Sequence, residues 1–510
     1  MVGMRYFLGI DNGGTMTKAA LFDLKGKEIA SASENTPVLT PKTGYYERDM
    51  ILLWQATART IQNVIKKANM DPADIAGVGC TGHGKGLYLW GKDNKPAYHA
   101  VASTDHRAAS VVNRWRKDGT ADRARELTLQ NVIECQPAAL LAWMKEEQPE
   151  AYANIQWIFE AKDYIRFMLT GEAYAEVTDY SGTSLMNLKT QRFDHEVLRI
   201  FDLEELYECL PPLRYSYENC GYVTPLAAQE TGLKEGTPVC GGMFDIDACA
   251  IAMDVSSEEK LCTITGTWSI NEYLSKTPVM PDSSTLNSLF CIPGYYLIEE
   301  SSPTSAGNLE WFVDCFLQKE AAEAKAAGAS VYDYINEAVA HTAMSELLFL
   351  PFLYGSNCGG CTSSALVGMT SANSQAEVLR AVFEGVAFSH FSHIEKLLQR
   401  REKTEAIRIA GGVVNSDVWL QIFADVIGIQ LEVVTTKELG ALGCAMAAAI
   451  CAGEYKDYSD AAQAMVSVKA TIWPNMELHE KYRKKYERYQ KLAALLGQLD
   501  ESVKEKIETC

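Results

Sequence analysis

Near the start of the chain, residues 6–23 read YFLGIDNGGTMTKAALFD, and this pattern is the main indicator of the fold class. An apolar, β-prone run ends in the polar, glycine-rich residues 11–15, and a second apolar run follows at once. Two such runs joined by a glycine-containing turn predict a β-hairpin. The stretch KLCTITGTWSINEYL, residues 260–274, repeats this pattern in the second half. We therefore predict a hairpin at residues 11–18 and a related one at residues 265–270, each opening one half of the chain.

Strands and helices alternate outside the first hairpin. Apolar residues recur at helical spacing over residues 49–68, and Asp49 is placed to cap the N-terminus of that helix. An apolar strand at residues 75–80 then runs into the polar residues 81–86. Such alternation is typical of an α/β protein.

The length of 510 residues predicts two or three domains, at roughly 100–200 residues each. A polar segment without apolar periodicity covers residues 252–259, close to the start of the second hairpin. We therefore expect an N-terminal domain at residues 1–252 and a C-terminal domain at residues 253–510.

Charge and composition exclude several classes of partner. The chain has 47 basic and 66 acidic residues, a net charge of −19, which disfavours nucleic acids and acidic membranes. The longest weakly polar run, residues 441–453, is shorter than the ~20 residues that span a bilayer. The start of the chain lacks the pattern of a secretion signal. Fourteen scattered cysteines predict reduced thiols and a cytoplasmic location.

The first hairpin carries residues suited to phosphate. Glycines such as Gly14 let the backbone approach an anion closely, and Thr15, Thr17 and Lys18 can donate hydrogen bonds to phosphate oxygens. Asp11, at the end of the first strand, could hold a hydrated Mg²⁺, which prefers one or two carboxylates with water and phosphate. A plain glycine-rich turn explains the same residues without any ligand, so this cluster alone leaves both explanations open.

A carboxylate follows two glycines in the middle of the chain. Asp245 comes after Gly241 and Gly242 at the end of a predicted strand, where it could project into a cleft and accept a proton from a sugar hydroxyl. A helix cap is the structural alternative for this residue. Asp247 competes as the acting carboxylate, and spacing does not choose between the two.

Two further turns follow strands in the second half. Gly266 and Thr267 are suited to phosphates, and residues 411–416, with Gly411, Gly412 and Asn415, are suited to an adenosine.

Other conspicuous residues favour structural roles. Cys358 and Cys361 have the spacing of a metal or redox pair, but no second pair accompanies them. We expect His390 and His393 to be packed or at the surface rather than to bind metal. A tyrosine stripe in the last helix (Tyr482, Tyr486, Tyr489) predicts packing against the body of the protein.

Taken together, these motifs resemble the FGGY carbohydrate kinases from Asp11 to about residue 490. The first hairpin is similar to the first phosphate motif of that family, and residues 44–49 with Trp54 are similar to another family stretch. The second family signature fits position by position from Ser364 to Glu384. Segments 162–171 and 178–181 are also similar.

The resemblance implies two actin-like domains of the ribonuclease-H fold with an active-site cleft between them. It implies ATP mostly on the C-terminal half and the sugar mostly on the N-terminal half. Asp245 would be the catalytic base and Asp11 would help to hold Mg²⁺. The implied ligand residues are His83, Asp105 and Arg107 for the sugar, and Gly14, Thr15, Thr17, Lys18, Gly266, Thr267, Gly307, Asn308, Gly411, Gly412 and Asn415 for ATP.

Within the family, residues 81–87, 103–107, 303–311 and 349–357 resemble the branch that phosphorylates L-xylulose. His83 stands where kinases of D-xylulose carry a substrate-binding histidine. We therefore expect ATP-dependent phosphorylation of a ketopentose, first of all L-xylulose, at a terminal hydroxyl. D-xylulose, 3-keto-L-gulonate and gluconate are alternative acceptors for the same chemistry.

A remote alternative from another class is an actin-like or chaperone-like ATPase, which would hydrolyse ATP without a sugar. The expected partners of the kinase are a small sugar and MgATP, with neither nucleic acid nor membrane. A homodimer is compatible with the sequence.

Overall fold

The computed structural model describes residues 5–266, 268–280, 285–357, 363–399 and 404–508. Two seven-stranded sheets, one in each half of the chain, form the centres of two α/β domains. The elements of the first half are β1 (Tyr6–Asn12), β2 (Met16–Asp23), β3 (Glu28–Asn35), β4 (Glu47–Arg48), α1 (Met50–Ala68), β5 (Ile75–Gly82), β6 (Tyr88–Gly91), β7 (Ala100–Val101), α2 (Ala109–Lys117), α3 (Thr120–Thr128), α4 (Pro137–Glu147), α5 (Pro149–Ala153), β8 (Ile155–Phe159), α6 (Ala161–Thr170), β9 (Ala175–Glu176), α7 (Val177–Tyr180), β10 (Met186–Asn187), β11 (Arg192–Phe193), α8 (His195–Ile200), β12 (Leu213–Arg214), β13 (Asn219–Tyr222), α9 (Pro225–Thr231), β14 (Pro238–Cys240), β15 (Met243–Phe244) and α10 (Asp245–Ala252).

The second half contains fewer and longer helices. Its elements are β16 (Lys260–Thr265), β17 (Ser269–Ser275), β18 (Thr285–Leu289), β19 (Tyr296–Ser302), α11 (Gly307–Phe316), α12 (Gln318–Ala326), α13 (Val331–Ala340), β20 (Leu348–Leu350), β21 (Ala365–Val367), α14 (Gln375–Leu398), β22 (Ala406–Gly411), α15 (Asp417–Ile427), β23 (Leu431–Val434), α16 (Leu439–Cys451), α17 (Tyr458–Met465), β24 (Val468–Ile472) and α18 (Met476–Glu508).

The two large sheets share a topology. In the first, the strand order is β13-β14-β5-β1-β2-β3, with β15 also beside β5; in the second it is β18-β19-β17-β16-β22-β23-β24. Each sheet has a central antiparallel hairpin, β1–β2 or β16–β17, whose first strand also pairs in parallel with a later strand, β5 or β22. Both predicted hairpins and the predicted α/β class are therefore confirmed.

Local sequence explains the first long helix, α1. The Asp49 carboxylate accepts hydrogen bonds from the backbone N–H groups of Ile51 and Leu52, as its position predicted. These bonds satisfy donors that the first helical turn leaves without partners. Leu53 and Trp54 lie on the buried face of the helix, which packs against β2 and β3.

Helix α16 joins the two halves. It belongs to the second half in sequence, but it packs on β1 and β5 of the first sheet and on α10. A Cβ atom on Gly9 would lie 1.8 Å from the carbonyl oxygen of Ala441, and one on Gly79 would lie 2.3 Å from that of Cys444. Only glycine allows this close contact between helix and strands. One apolar cluster consequently contains Phe7 of the first sheet and Leu274 of the second.

The C-terminal helix α18 packs on the second domain through the predicted tyrosine stripe. Tyr482, Tyr486 and Tyr489 are buried, and all three rings contact Phe388. Over the described ranges, no helix combines the length and the apolar character needed to cross a membrane. The residues of the Cys358–Cys361 motif lie outside the described residues.

Candidate active site

The turn of the first hairpin is open to a ligand. Asp11 and Lys18 face each other across the β1–β2 pair, and Gly14 and Thr15 are exposed at the turn between them. A Cβ atom on Gly14 would meet no atom within 4 Å, so the space beside the turn is free. The ammonium of Lys18 lies 3.1 Å from a carboxylate oxygen of Glu438, which caps helix α16. The turn therefore faces the second half of the chain.

Thr17 occupies a different position from its neighbours in the turn. Its side chain is fully buried, and its hydroxyl accepts a hydrogen bond of 2.8 Å from the Asn12 amide. The same amide donates to the Thr57 hydroxyl of α1 at 3.0 Å. The Thr17 hydroxyl is thus turned towards α1, where it supports the hairpin from within the domain.

The second hairpin is tied to the loop that follows β22. The Thr265 hydroxyl donates to the carbonyl of Ala410 at 2.7 Å and accepts from the N–H of Val413 at 3.2 Å. Gly411 has a φ of +96°, and a Cβ atom there would lie 2.4 Å from the carbonyl oxygen of Thr265. Glycine is therefore required at Gly411. Thr267, predicted to bind a phosphate, lies outside the described residues.

A cavity of about 510 Å³ lies beside these two turns. Four of the residues predicted to bind ATP line it: Gly266, Gly307, Gly412 and Asn415. Sequence reasoning did not single out the opposite wall, although Phe383 of that wall lies within the second family signature. That wall includes Tyr332, Asp333, Asn336, Phe383 and Trp419.

Two more of the predicted ATP residues lie close to this cavity but not in its wall. Gly411 lines an adjoining cavity of about 670 Å³ together with Asn336 and Asn415. Asn308 is buried, and its amide donates to the Thr304 hydroxyl at 2.7 Å and to the Ser305 carbonyl at 2.8 Å. These bonds hold the start of α11 in place.

Asp245 stands at the carboxyl end of β15, beside the end of β5. The Thr81 hydroxyl of β5 donates to the carbonyl of Met243 at 2.7 Å. Gly242 allows this approach, because its φ is +75° and a Cβ atom there would lie 2.0 Å from the carbonyl oxygen of Cys80. The Asp245 side chain remains partly exposed, at the first position of α10.

The two candidate carboxylates differ in their surroundings. Burial raises the pKa of Asp245 well above its usual range, and the nearby charges of Asp11 and Asp179 raise it further. One of its oxygens accepts a 2.9 Å bond from the N–H of Ile246. Asp247 is fully buried and accepts a 3.0 Å bond from the N–H of Cys291. Asp247 therefore ties α10 to the second domain, whereas Asp245 is accessible.

His83 lies near Asp245, at the end of the neighbouring strand. The imidazole is buried, and Nε2 lies 2.8 Å from the Tyr88 hydroxyl. Nδ1 is buried and makes no hydrogen bond within the described part of the chain. Burial, followed by the charge of Arg48, lowers the pKa of His83 to about 3. The ring is therefore neutral at pH 7 and can exchange a hydrogen bond with a sugar hydroxyl.

Asp105 and Arg107 are bonded mainly to each other. The Asp105 carboxylate accepts bonds from the N–H of Tyr46 at 2.6 Å and from Arg107 Nε and Nη2, both at 2.9 Å. Arg107 also pairs with Glu47 at 2.9 Å, and its guanidinium lies over the Tyr45 ring. Both side chains are fully buried in these contacts. They brace the loop that precedes α2, and no free donor or acceptor points to a direct sugar contact.

Three other polar side chains converge on the same region. Arg48 donates to the carbonyl of Gly13 at 3.0 Å, while its buried Nε and Nη2 atoms have no hydrogen-bond partner among the described residues. Asp179 pairs with Lys162 at 3.2 Å and has a second buried oxygen without a hydrogen bond. Lys85 adds a partly exposed ammonium. Arg48 and Asp179 lie in stretches that carried the family resemblance, so the sequence did contain a signal for them.

Family models cover most of the chain. The N-terminal domain of the FGGY family of carbohydrate kinases matches residues 6–252, and the C-terminal domain of that family matches residues 261–452.

Relatives match over nearly their whole length. L-xylulose/3-keto-L-gulonate kinase of Escherichia coli is 36% identical, with 98% of this chain and 99% of the relative covered. A probable L-xylulose kinase of Pasteurella multocida is 38% identical, with 97% and 99% covered.

The fold also matches solved structures. A xylulose kinase from Lactobacillus acidophilus superposes with a TM-score of 0.88 at 23% identity, covering 97% of this chain and 98% of that one. A gluconate kinase from the same organism gives a TM-score of 0.87 at 23% identity, covering 97% and 99%. With two seven-stranded sheets of shared topology and both family domains matched in sequence, the chain belongs to the FGGY family of carbohydrate kinases.

Proposed function

We propose that this kinase transfers the γ-phosphoryl group of ATP to a terminal hydroxyl of a ketopentose, first of all L-xylulose, with Asp245 as the general base. The observation that carries the proposal is the position of Asp245. Its accessible carboxylate lies within electrostatic reach of Asp11 on the first phosphate turn. It also follows a strand that pairs with β5, the strand that leads into His83.

The electrostatics of Asp245 suit a base. A carboxylate with a raised pKa binds a proton more strongly than one in water, so it is better able to take the proton of an attacking hydroxyl. The ammonium of Lys85 opposes the effect of burial and favours the ionised form. In phosphoryl transfer the protein mostly positions the reactants and stabilises charge, which agrees with a site built from turns and hydrogen-bond donors.

The two halves would share the nucleotide. The cavity lined by Gly266, Gly307, Gly412 and Asn415 would take the adenosine end. Its phosphates would then point towards Gly14, Thr15 and Lys18 on the first hairpin, where backbone N–H groups and the ammonium can bind anions. Thr17, Asn308 and Gly411 would lie next to the ligand, and a role for Thr267 stays a prediction from the sequence.

Asp11 is the residue we propose for magnesium. Within the described ranges, no group of three or more His, Cys, Asp or Glu side chains is arranged to hold a metal. Magnesium bound with ATP needs only one or two carboxylates, because phosphate oxygens and water supply the other ligands. Burial raises the pKa of Asp11 to about 6, because it disfavours the ionised form. A nearby cation would stabilise that ionised form. Bound magnesium would neutralise part of the phosphate charge.

The sugar would lie among His83, Arg48 and Asp179, each of which has at least one buried polar atom without a hydrogen bond among the described residues. We propose that Asp105 and Arg107 act by positioning the loop behind it. The relatives named for L-xylulose favour that sugar over D-xylulose and gluconate. A cytoplasmic location and a homodimer stay predictions from the sequence.

One experiment tests the proposal directly. ADP release by the purified protein with MgATP is measured for L-xylulose, D-xylulose, 3-keto-L-gulonate and gluconate, and without any sugar. We expect L-xylulose to give the highest kcat/KM and negligible turnover without sugar. Sugar-independent ATP hydrolysis would instead support the actin-like alternative.

The Asp245→Asn variant tests the base. We expect kcat to fall about 10²- to 10⁴-fold with sugar binding retained, which is the usual contribution of a positioned base. Asp122→Asn, on the exposed face of α3, serves as the control and should keep wild-type activity. Near-wild-type turnover by Asp245→Asn would refute the assignment.

A further inference from the structure

Lys85 has a backbone conformation that is unusual for its residue type. Its φ is +63°, in the left-handed region, which costs an L-residue with a side chain roughly 1–2 kcal/mol relative to the right-handed region. Its neighbours on both sides are Gly84 and Gly86, so glycine is used freely in this turn. A lysine at the strained position indicates that its side chain has a role that glycine cannot perform.

The turn holds Lys85 against the candidate active site. A Cβ atom on Gly84 would lie 2.2 Å from the Phe244 ring and 2.7 Å from a carboxylate oxygen of Asp179. The turn therefore packs directly on the residue before Asp245. Burial raises the pKa values of the Asp245 and Asp179 carboxyls, and the charge of Lys85 acts against that rise in both. The ammonium is thus within electrostatic range of the proposed base.

Three other cations around the site, Arg107, Lys162 and Lys18, form ion pairs with carboxylates. Arg107 pairs with Asp105 and Glu47, and Lys162 pairs with Asp163 and Asp179. Likewise, Lys18 pairs with Glu438. Arg48 donates to the carbonyl of Gly13, and its buried Nε and Nη2 have no hydrogen-bond partner among the described residues. Lys85 makes neither an ion pair nor a hydrogen bond through its side chain in the part of the chain that the structure describes. Its charge is available to a ligand.

A small cavity lies beside Lys85 at the seam between the two domains. It measures about 20 Å³, and its walls include Gln130 and Phe244 of the first half and Ser288 and Glu299 of the second. This is room for one water-sized group. Gln130 and Asn287 hold the seam together, because the Gln130 amide donates to the Asn287 carbonyl and the Asn287 amide donates to that of Leu129.

We propose that Lys85 is a specificity-determining residue that binds the carboxylate of an acidic acceptor, so that the kinase accepts keto sugar acids as well as neutral ketoses. The inference rests on the proposed function, since it requires the sugar to lie beside Asp245. A bound carboxylate would place its charge against the free ammonium, at the end of the acceptor remote from the hydroxyl that is phosphorylated. A hydrogen bond between charged groups is stronger than one between neutral groups.

The test compares two acceptors in three variants. ADP release with 3-keto-L-gulonate and with L-xylulose is measured for wild type, Lys85→Met and Lys85→Arg. Lys117→Met, an exposed lysine at the end of α2, is the matched control. We expect Lys85→Met to lower the ratio of kcat/KM for the acid to kcat/KM for the ketose by about 10- to 100-fold. Lys85→Arg should recover part of the ratio, and Lys117→Met should leave it unchanged.

Titration calorimetry with 3-keto-L-gulonate in the absence of ATP gives a second readout. We expect Lys85→Met to weaken binding of the acid about 10-fold or more. Equal losses of kcat/KM for both acceptors in Lys85→Met would overturn the inference, because Lys85 would then act on Asp245 or on the fold. If wild type phosphorylates L-xylulose but neither binds nor phosphorylates the acid, this inference fails and the proposed function stands. If it phosphorylates neither sugar, the proposed function fails, and the calorimetric comparison still decides the role of Lys85.

Discussion

Replacing Gly9 by alanine tests the close contact that joins the two domains. The added Cβ atom would lie 1.8 Å from the carbonyl oxygen of Ala441, in a helix that packs on both β1 and β5. Real Cβ atoms stay more than 3.0 Å from such an atom, so helix α16 must shift by more than 1 Å or the strand must bend. The neighbouring Gly77→Ala variant is the matched control, because its Cβ atom would lie 3.2 Å from the carbonyl oxygen of Ala448.

The expected magnitude follows from the overlap. Overpacking a close-packed core costs about 1–3 kcal/mol, and a backbone contact that no rotamer can relieve belongs at the upper end. For a domain of about 250 residues, each 1 kcal/mol lowers the Tm by roughly 2–4 °C. We therefore expect Gly9→Ala to lose about 6–12 °C and Gly77→Ala to lose less than about 3 °C.

The shift of α16 should also affect catalysis. The helix begins next to Glu438, the partner of Lys18, and a Cβ atom on Gly440 would lie 2.7 Å from Asp11. Moving α16 away from the first sheet would displace both contacts of the first hairpin turn, so kcat should fall in Gly9→Ala more than in Gly77→Ala. Differential scanning calorimetry and ADP release with L-xylulose measure the two effects. Equal Tm values for both variants, or a larger loss in Gly77→Ala, would contradict this account of the packing.

Three further predictions concern separate parts of the molecule. Arg107→Met should lower the free energy of unfolding by about 3–5 kcal/mol, measured by urea denaturation, because it leaves the carboxylates of Asp105 and Glu47 buried without their partner. A loss below 1 kcal/mol would show that Arg107 does not brace this loop. Burial, with a further contribution from the nearby His393, lowers the pKa of His390 to about 3, so the unfolded chain binds more protons than the folded one below the unfolded pKa of about 6.5. The free energy of unfolding should therefore decline as the pH falls from 6.5, by at most about 1.4 kcal/mol per pH unit from this group. Measured over a pH series, this decline should be shallower in His390→Gln than in wild type. Parallel curves for the two proteins would exclude the effect. Asn415→Ala should raise the KM for ATP about 10-fold and leave the KM for the sugar near its wild-type value, because Asn415 lines both cavities that we assign to the nucleotide. A change confined to the KM for the sugar would contradict that assignment.

Much of the local structure was predictable from the sequence. Asp49 capped α1 as expected, since a cap depends on residues two and three positions away. The hairpins at residues 11–18 and 265–270 formed because a turn between two β-prone runs is a short-range signal. His390 and His393 are buried and bonded to polar side chains, in agreement with the expectation that they pack.

The roles of individual polar side chains were less predictable. Thr17 and Asn308 sit in the expected segments, but the Thr17 hydroxyl and the Asn308 side-chain N–H groups bond within the protein. Asp105 and Arg107 likewise lie near the site and satisfy each other. A motif shows which residue stands at a position, but the hydrogen bonds of that residue depend on partners from distant segments. In the first hairpin, for example, the Asn12 amide bonds to Thr57 of α1.

The α/β class, the two hairpins and the family could be predicted from the residues alone, because these depend on local periodicity, turn residues and motif spacing. The accessibility of Asp245 rather than Asp247 depended on tertiary contacts, because Asp247 accepts a hydrogen bond from the N–H of Cys291, 44 residues away. The segment at residues 441–453 shows the same division. In sequence it was only an apolar run too short to cross a membrane. Packing made most of it the helix that covers the first sheet, because Gly9 and Gly79 leave room for its backbone.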